Sequence, residues 1–372
     1  MSSFYSKFRA SHWQRISFIV LCSFGLLIAC SNKDDDGLDN NDDVTLDHST
    51  NMGMDSSIFE GKMTGISFES PPDEFPPETL EPIANVNAEW MAISPFGYSF
   101  NGAAEVQYNS QWQWWGETVQ GSGLIADYAI AQGTQVMMKP QVWINGGGWV
   151  GTYDLETEEE WLTWESTYRD FTLDFAHMSA DKNIPVFCVG TEYKIAAVER
   201  ADFWVELIDS IRTFYDGDLV YASNWDNYQN IPFWDKLDYI GIDAYFPLVE
   251  SATPEVDELL VAWEPLVDEL KAFSQQYDKE IIFTEYGYMS VDYTAWQNWE
   301  NEGNVNNIGL NLNGQSCAFE AFFQALWAKD WFKGGFIWKW HSDYPNAGGE
   351  NDKDYTPQNK PVEETIAKWY GL

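Results

Sequence analysis

Eight short, apolar, β-rich runs recur along this chain with helical or loop-rich stretches between them. They are Lys62 to Phe68, Ala88 to Ser94, Gln135 to Val142, Ile184 to Gly190, Leu219 to Ser223, Tyr239 to Ala244, Glu280 to Thr284 and Gly335 to Trp340. Runs apolar on both faces belong to strands buried on both sides, and strands alternating with helices pair in parallel beneath a helical layer. Eight such units in roughly 310 residues predict an α/β fold, a single (β/α)8 TIM barrel with some enlarged loops and no second domain. An open doubly wound sheet is the main competitor. The chain has no Gly-rich phosphate turn after an early strand and no GxxxxGK[ST] pattern to support it.

The intervening segments repeat their apolar residues at three and four, as amphipathic helices do. The clearest opens with Thr157-Glu158-Glu159-Glu160, a capping-box pattern, and puts Trp161, Trp164, Tyr168, Phe171 and Phe175 on one face. Another is predicted to start at Thr253-Pro254, a cap followed by proline at the first helical position, and to run through Trp263 to Leu270. A third carries Phe319, Phe322, Phe323, Leu326 and Trp327.

Residues 1–29 are organised differently. Lys7, Arg9 and Arg15 precede an apolar run from Ile16 to Ala29, too short for a comfortable membrane span and laid out as a secretory signal. Its end, Leu27-Ile28-Ala29-Cys30, resembles a bacterial lipobox, which implies lipidation at Cys30. Residues 30–59 are rich in Asp, Asn, Ser and Gly and are expected to form a disordered acidic tether. Their opening, Ser31-Asn32-Lys33-Asp34-Asp35-Asp36, resembles the acidic signal that sends lipoproteins to the surface of some Gram-negative bacteria. The expectation is an outer membrane lipoprotein exposed at the cell surface, touching the membrane only through its lipid, with residues 60–372 as the catalytic domain.

Charge narrows the partners. Against 20 Lys and Arg stand 59 Asp and Glu, a net charge of -39. Such a field repels phosphate backbones and excludes a nucleic-acid partner. The tether holds eight Asp and one Lys, so most of the excess belongs to the barrel. Of four cysteines only Cys188 and Cys317 fall in the folded part, where they either pair or remain buried thiols. With only His177 and His341 there as well, and no zinc spacing, no metal and no cofactor are expected. Aromatics form 17% of the chain and include 20 Trp. That abundance suits a protein handling sugars, whose C–H faces pack on indoles, and equally a large aromatic core.

In such a barrel, functional residues gather where the strands run out. The fourth run ends in Thr191-Glu192-Tyr193 and the seventh in Thr284-Glu285-Tyr286-Gly287-Tyr288. Two facing carboxylates are what glycosidic cleavage requires, one protonated to assist the leaving oxygen and one ionised to attack. A gap of about 5 to 5.5 Å between them predicts retention, and about 6.5 to 9.5 Å inversion. Lys139 is a cation near both, Tyr245 offers a hydroxyl to the attacking group, and Trp338 in Phe336-Ile337-Trp338-Lys339-Trp340 offers a floor for a sugar ring. The loop from Trp143 to Trp149, with three glycines, and the cluster Trp112-Trp114-Trp115 offer platforms for outlying subsites.

Taken in order, Lys139-Pro140, Val189-Gly190-Thr191-Glu192, Thr284-Glu285-Tyr286-Gly287-Tyr288 and Tyr355-Thr356-Pro357-Gln358-Asn359-Lys360-Pro361 resemble glycoside hydrolase family 113 of clan A, over about Gly61 to the C-terminus. The resemblance implies a retaining (β/α)8 β-1,4-mannanase with Glu192 as general acid/base and Glu285 as nucleophile, and an aromatic at Trp338 beneath the reacting sugar. The clan places Asn before its acid/base where this chain has Thr191, and Asn224 is the candidate substitute.

The reading is therefore a monomeric, surface-anchored hydrolase of β-1,4-mannosidic linkages in mannan or mannooligosaccharides, either mannanase or mannosidase in type. The alternatives are a non-catalytic glycan-binding lipoprotein and a hydrolase of another β-glycan such as chitosan, whose positive charge would suit the acidic surface.

Overall fold

A computed structural model describes residues 59–100 and 103–372. The signal, Cys30 and nearly all of the tether lie outside these residues. Ten strands occur among them: β1 (Met63–Phe68), β2 (Trp90–Ile93), β3 (Phe96–Phe100), β4 (Gln135–Met138), β5 (Gln141–Asn145), β6 (Val186–Thr191), β7 (Asp218–Asn224), β8 (Ile240–Asp243), β9 (Ile281–Tyr286) and β10 (Phe332–Trp340). Eight close into a parallel barrel in the order β1-β10-β9-β8-β7-β6-β4-β2, the (β/α)8 architecture expected from the alternation. β3 and β5 pair separately, in parallel, as a small ribbon.

That ribbon corrects the third run. Gln135 to Val142 is not one strand, because it breaks at Lys139-Pro140 just as the second breaks at Ser94-Pro95. A proline has no N–H to donate, so each barrel ladder stops there. The chain bridges the gap with Lys139 N–H donating to Ile93 at 2.9 Å and Gln141 N–H donating to Pro95 at 2.9 Å. Both strands then resume outside the barrel, which lifts Gln141 and Trp143 above the ends of the barrel strands.

Around the barrel run α1 (Val119–Ala131), α2 (Glu158–Asp181), α3 (Lys194–Glu199), α4 (Ala201–Ile211), α5 (Val256–Tyr277), α6 (Asn298–Asn304), α7 (Leu312–Leu326) and α8 (Val362–Tyr370). The capping box at the start of α2 is present, with Thr157 Oγ1 accepting from the Glu160 N–H at 3.3 Å and the Glu160 carboxylate accepting from the Thr157 N–H at 2.9 Å. All five of its predicted aromatics are buried. By contrast, α5 begins at Val256 rather than Pro254. Glu255 is the capping residue, its N–H donating to the Glu258 carboxylate at 3.4 Å, which fixes the start two residues beyond Thr253-Pro254.

The core has two compartments. The larger lies between barrel and helices and holds most of the aromatics, including Trp164, Trp204, Trp263 and Trp327. The smaller fills the barrel itself with Met63, Ala92, Met137, Val186, Cys188, Val220, Ala222, Ile282 and Phe336. Phe336 fits because Gly65 stands opposite it on β1, where an added Cβ would lie 2.5 Å from the ring. Cys188 is buried in this plug and forms no disulfide with Cys317, which leaves the thiol reading of the pair.

Candidate active site

Glu192 follows the last residue of β6, and Glu285 lies one residue before the end of β9. Both therefore sit at the C-terminal mouth of the barrel. Glu192 adopts a left-handed backbone (φ 57°), uncommon for a residue with a Cβ, and its N–H is pinned to Ala222 of β7 at 2.8 Å. The turn redirects its side chain away from the direction a continued strand would give. Glu285 is in register with Asp243 of β8, and its carbonyl accepts the Ala244 N–H at 2.7 Å.

The two carboxylates have different surroundings. Glu285 accepts from three donors: Lys139 Nζ at 2.5 Å and Gln141 Nε2 at 2.8 Å on Oε1, and the Tyr245 hydroxyl at 2.9 Å on Oε2. Lys139 is fully buried (0% exposed) and also pairs with Asp243 Oδ2 at 3.3 Å, while Asp243 Oδ1 accepts the Thr284 hydroxyl at 2.7 Å. Burial alone would lower the Lys139 pKa, but Asp243 and Glu285 outweigh it and hold the ammonium charged. Asp243 is pushed upward by burial and then by Glu285, against the pull of Lys139. Glu192 accepts from Trp149 Nε1 at 2.8 Å on Oε2 and from Asn224 Nδ2 at 2.7 Å on Oε1. Its pKa is raised by burial first and by Glu285 second, and the two hydrogen bonds only partly offset this. Two carboxyl groups thus share one cleft, one wrapped by a cation and donors and one pushed towards its protonated form, an arrangement able to serve acid/base chemistry.

The remaining candidates distribute around this pair. Asn224 and Tyr245 touch the two glutamates directly. Trp338 is partly buried beside Tyr245, Met289, Val291 and Tyr355, which places it on the Glu285 side. Trp143 is 50% exposed and packs edge-on against Phe96 at 6.4 Å. It lies two residues after Gln141 on β5, on the same face, because strand side chains alternate. Thr191, in the position where Asn was expected, makes no hydrogen bond through its buried hydroxyl. The Trp112 cluster divides: Trp112 is exposed and packs edge-on to Tyr98 at 4.8 Å, whereas Trp115 packs edge-on to Phe75 at 5.9 Å, against the core.

Sequence reasoning missed three contributors as site residues: Gln141, Asp243 and Thr284. Gln141 was hidden by reading the third run as one strand. Asp243 and Thr284 end or adjoin strand runs, and that signal was available. The loop from Trp143 to Trp149 is expected from the sequence to offer a platform for an outlying subsite, but the hydrogen bond from Trp149 to Glu192 carries no sequence signal. Among the described residues no group of three His, Cys, Asp or Glu side chains is arranged to hold a metal ion.

A closed parallel barrel with paired glutamates on its fourth and seventh strands has the build of a glycosidase. Glycoside Hydrolase Family 113 matches residues 73–360, and the chain belongs to that family; it is a glycoside hydrolase. Among solved structures it is similar to the family 113 β-mannanase of Alicyclobacillus acidocaldarius in complex with ManMIm, with 24% identity, coverage of 84% of this chain and 99% of that one, and a TM-score of 0.73. A second family 113 β-1,4-mannanase, also a complex, shows 23% identity, coverage of 83% and 99%, and a TM-score of 0.71. The β-glucuronidase of Ruminococcus gnavus shares the barrel at 12% identity and a TM-score of 0.58, over 83% of this chain and 50% of its own. No curated protein matches the chain.

Proposed function

We propose that the protein is a retaining hydrolase of β-1,4-mannosidic linkages in mannan or mannooligosaccharides. The observation that carries this reading is the contrast at the barrel mouth between Glu285, bound by Lys139, Gln141 and Tyr245, and Glu192, whose proton is favoured by burial and by Glu285 itself. The mannanase neighbours support the choice of substrate.

In the first step a Glu285 oxygen attacks C1 of the sugar, the C1–O bond to the leaving sugar breaks, and the Glu192 proton passes to the departing oxygen. In the second, the Glu192 carboxylate takes a proton from water, whose oxygen bonds to C1 as the Glu285 ester is released. Lys139 and Tyr245 keep Glu285 oriented and able to leave. Asn224 steadies Glu192, and its amide replaces the contact to the substrate 2-hydroxyl that Thr191 lacks the reach to make. Trp338 floors the reacting sugar, and Trp143 lines an outlying subsite. A glycan-binding protein without activity has no use for this arrangement of acceptors and donors. Residues 30–59 tether the enzyme to the outer membrane by a lipid on Cys30, with the barrel facing outward and working as a monomer.

The test is hydrolysis by purified protein of mannan, glucomannan, mannooligosaccharides and chitosan, with products sized. Release of mannooligosaccharides or mannose is expected. Activity confined to chitosan, or absent on all four, would overturn the substrate assignment.

A further inference from the structure

Trp149 lies in the segment after β5, where Gly146 (φ 101°) and Gly147 (φ 94°) turn the chain back towards β6. Only glycine enters such conformations freely, and the turn delivers the Trp149 N–H to Glu192. The ring is seated from several sides. Its six-membered edge lies so close to Gly151 that a Cβ there would be 2.3 Å away, and the Lys194 ammonium stands 5.5 Å from a ring centroid, itself held by Asp226 at 2.7 Å. Trp149 nonetheless remains 39% exposed.

We infer that Trp149 is a positioning residue for Glu192 and at the same time forms the floor of the subsite for the leaving sugar. The inference rests on Glu192 being the acid/base. Two arguments support it. The donors divide cleanly, with Lys139, Gln141 and Tyr245 serving Glu285, and Trp149 and Asn224 serving Glu192. The sugar attacked at C1 lies against the first group. The acid must come within about 2.6–3.2 Å of the glycosidic oxygen, so an indole bonded to the acid is within one ring width of the sugar beyond that oxygen. The second argument concerns the proton. Trp149 and Asn224 both donate, one to each oxygen, so both favour the ionised form that the second step needs, against burial that favours the acid of the first. The charged groups facing Glu192 are Glu285 from β9, Asp243 from β8 and Lys139 at the end of β4, with the Lys194–Asp226 pair behind the indole.

The full chain can be tested without substrate. In ¹⁵N-indole spectra, the signal lost in W149F should shift with pH in the wild type as Glu192 titrates, and stop shifting in E192Q. A Trp149 signal insensitive to pH, or one titrating unchanged in E192Q, overturns the positioning role. With mannopentaose, W149F should keep its KM while the alkaline limb of kcat/KM moves up by about one pH unit, since a donor to the ionised form is lost. W149A should show the same shift and a KM raised several-fold. An unmoved alkaline limb overturns the positioning role, and an unchanged mannopentaose KM in W149A overturns the subsite. Should the wild type not cleave mannopentaose, the proposed function fails while the titration still decides the hydrogen bond.

Discussion

Replacing Lys139 by Met removes one ammonium from between two buried carboxyl groups while keeping much of the side-chain volume. Lys139 is 0% exposed and lies 2.5 Å from Glu285 and 3.3 Å from Asp243, so its charge is neutralised by these two carboxyl groups rather than by bulk solvent. Removing one partner of a buried ion pair costs about 3–5 kcal/mol, which at roughly 2 °C per kcal/mol for a domain of this size is a fall in Tm of about 6–10 °C. The cost depends on pH in a definite direction. Lys139 has its folded pKa raised by the two acids, so its own titration removes nothing between acid and neutral pH and its charge is lost only at high pH. Asp243 has its pKa raised by burial and Glu285, so its ionisation becomes costly as pH rises above its unfolded value of about 3.9, and without Lys139 that cost grows. Thermal unfolding followed by circular dichroism should therefore give the larger deficit at pH 8 and a smaller one at pH 5. Adding Asp243→Asn to the variant should recover part of it, because the leftover unpaired charge is gone. A Tm within about 2 °C of the wild type at both pH values would refute the reasoning.

Tyr245→Phe removes the hydroxyl that donates to Glu285 Oε2, and kcat/KM should fall about 10- to 100-fold with Tm nearly unchanged. Thr157→Ala, far from the site, should lower stability by about 1 kcal/mol through loss of the α2 cap while leaving kcat intact, as urea unfolding would read. Cys188, whose thiol is pushed up to about 11 by burial in the barrel plug, should resist iodoacetamide in the native protein and react once unfolded, seen as a mass shift.

The barrel was legible because its strands are buried on both faces and its helices are amphipathic, two patterns that local sequence carries directly. The capping box at Thr157 and the glutamates at the ends of β6 and β9 were legible for the same reason. What escaped notice depended on geometry between distant segments. Pro140 was in plain view, but that the chain resumes beyond it as β5, paired to β3 and carrying Gln141 to within 2.8 Å of Glu285, follows only from how two interrupted strands lie side by side. Trp149 reaches Glu192 through a turn whose course two glycines permit but do not specify. The start of α5 was displaced because Thr253-Pro254 and Glu255-x-x-Glu258 both carry N-terminal signals, and the second captured the helix.

The central claim, that Glu285 forms a covalent bond to the sugar, is tested most directly by incubating the enzyme with a 2-deoxy-2-fluoro-mannosyl fluoride and mapping the adduct by peptide mass spectrometry. The fluorine slows departure of the sugar from the enzyme, so one fluoromannosyl group should accumulate on Glu285. An adduct on Glu192 or Asp243, or no adduct from an enzyme that cleaves mannooligosaccharides, would contradict it.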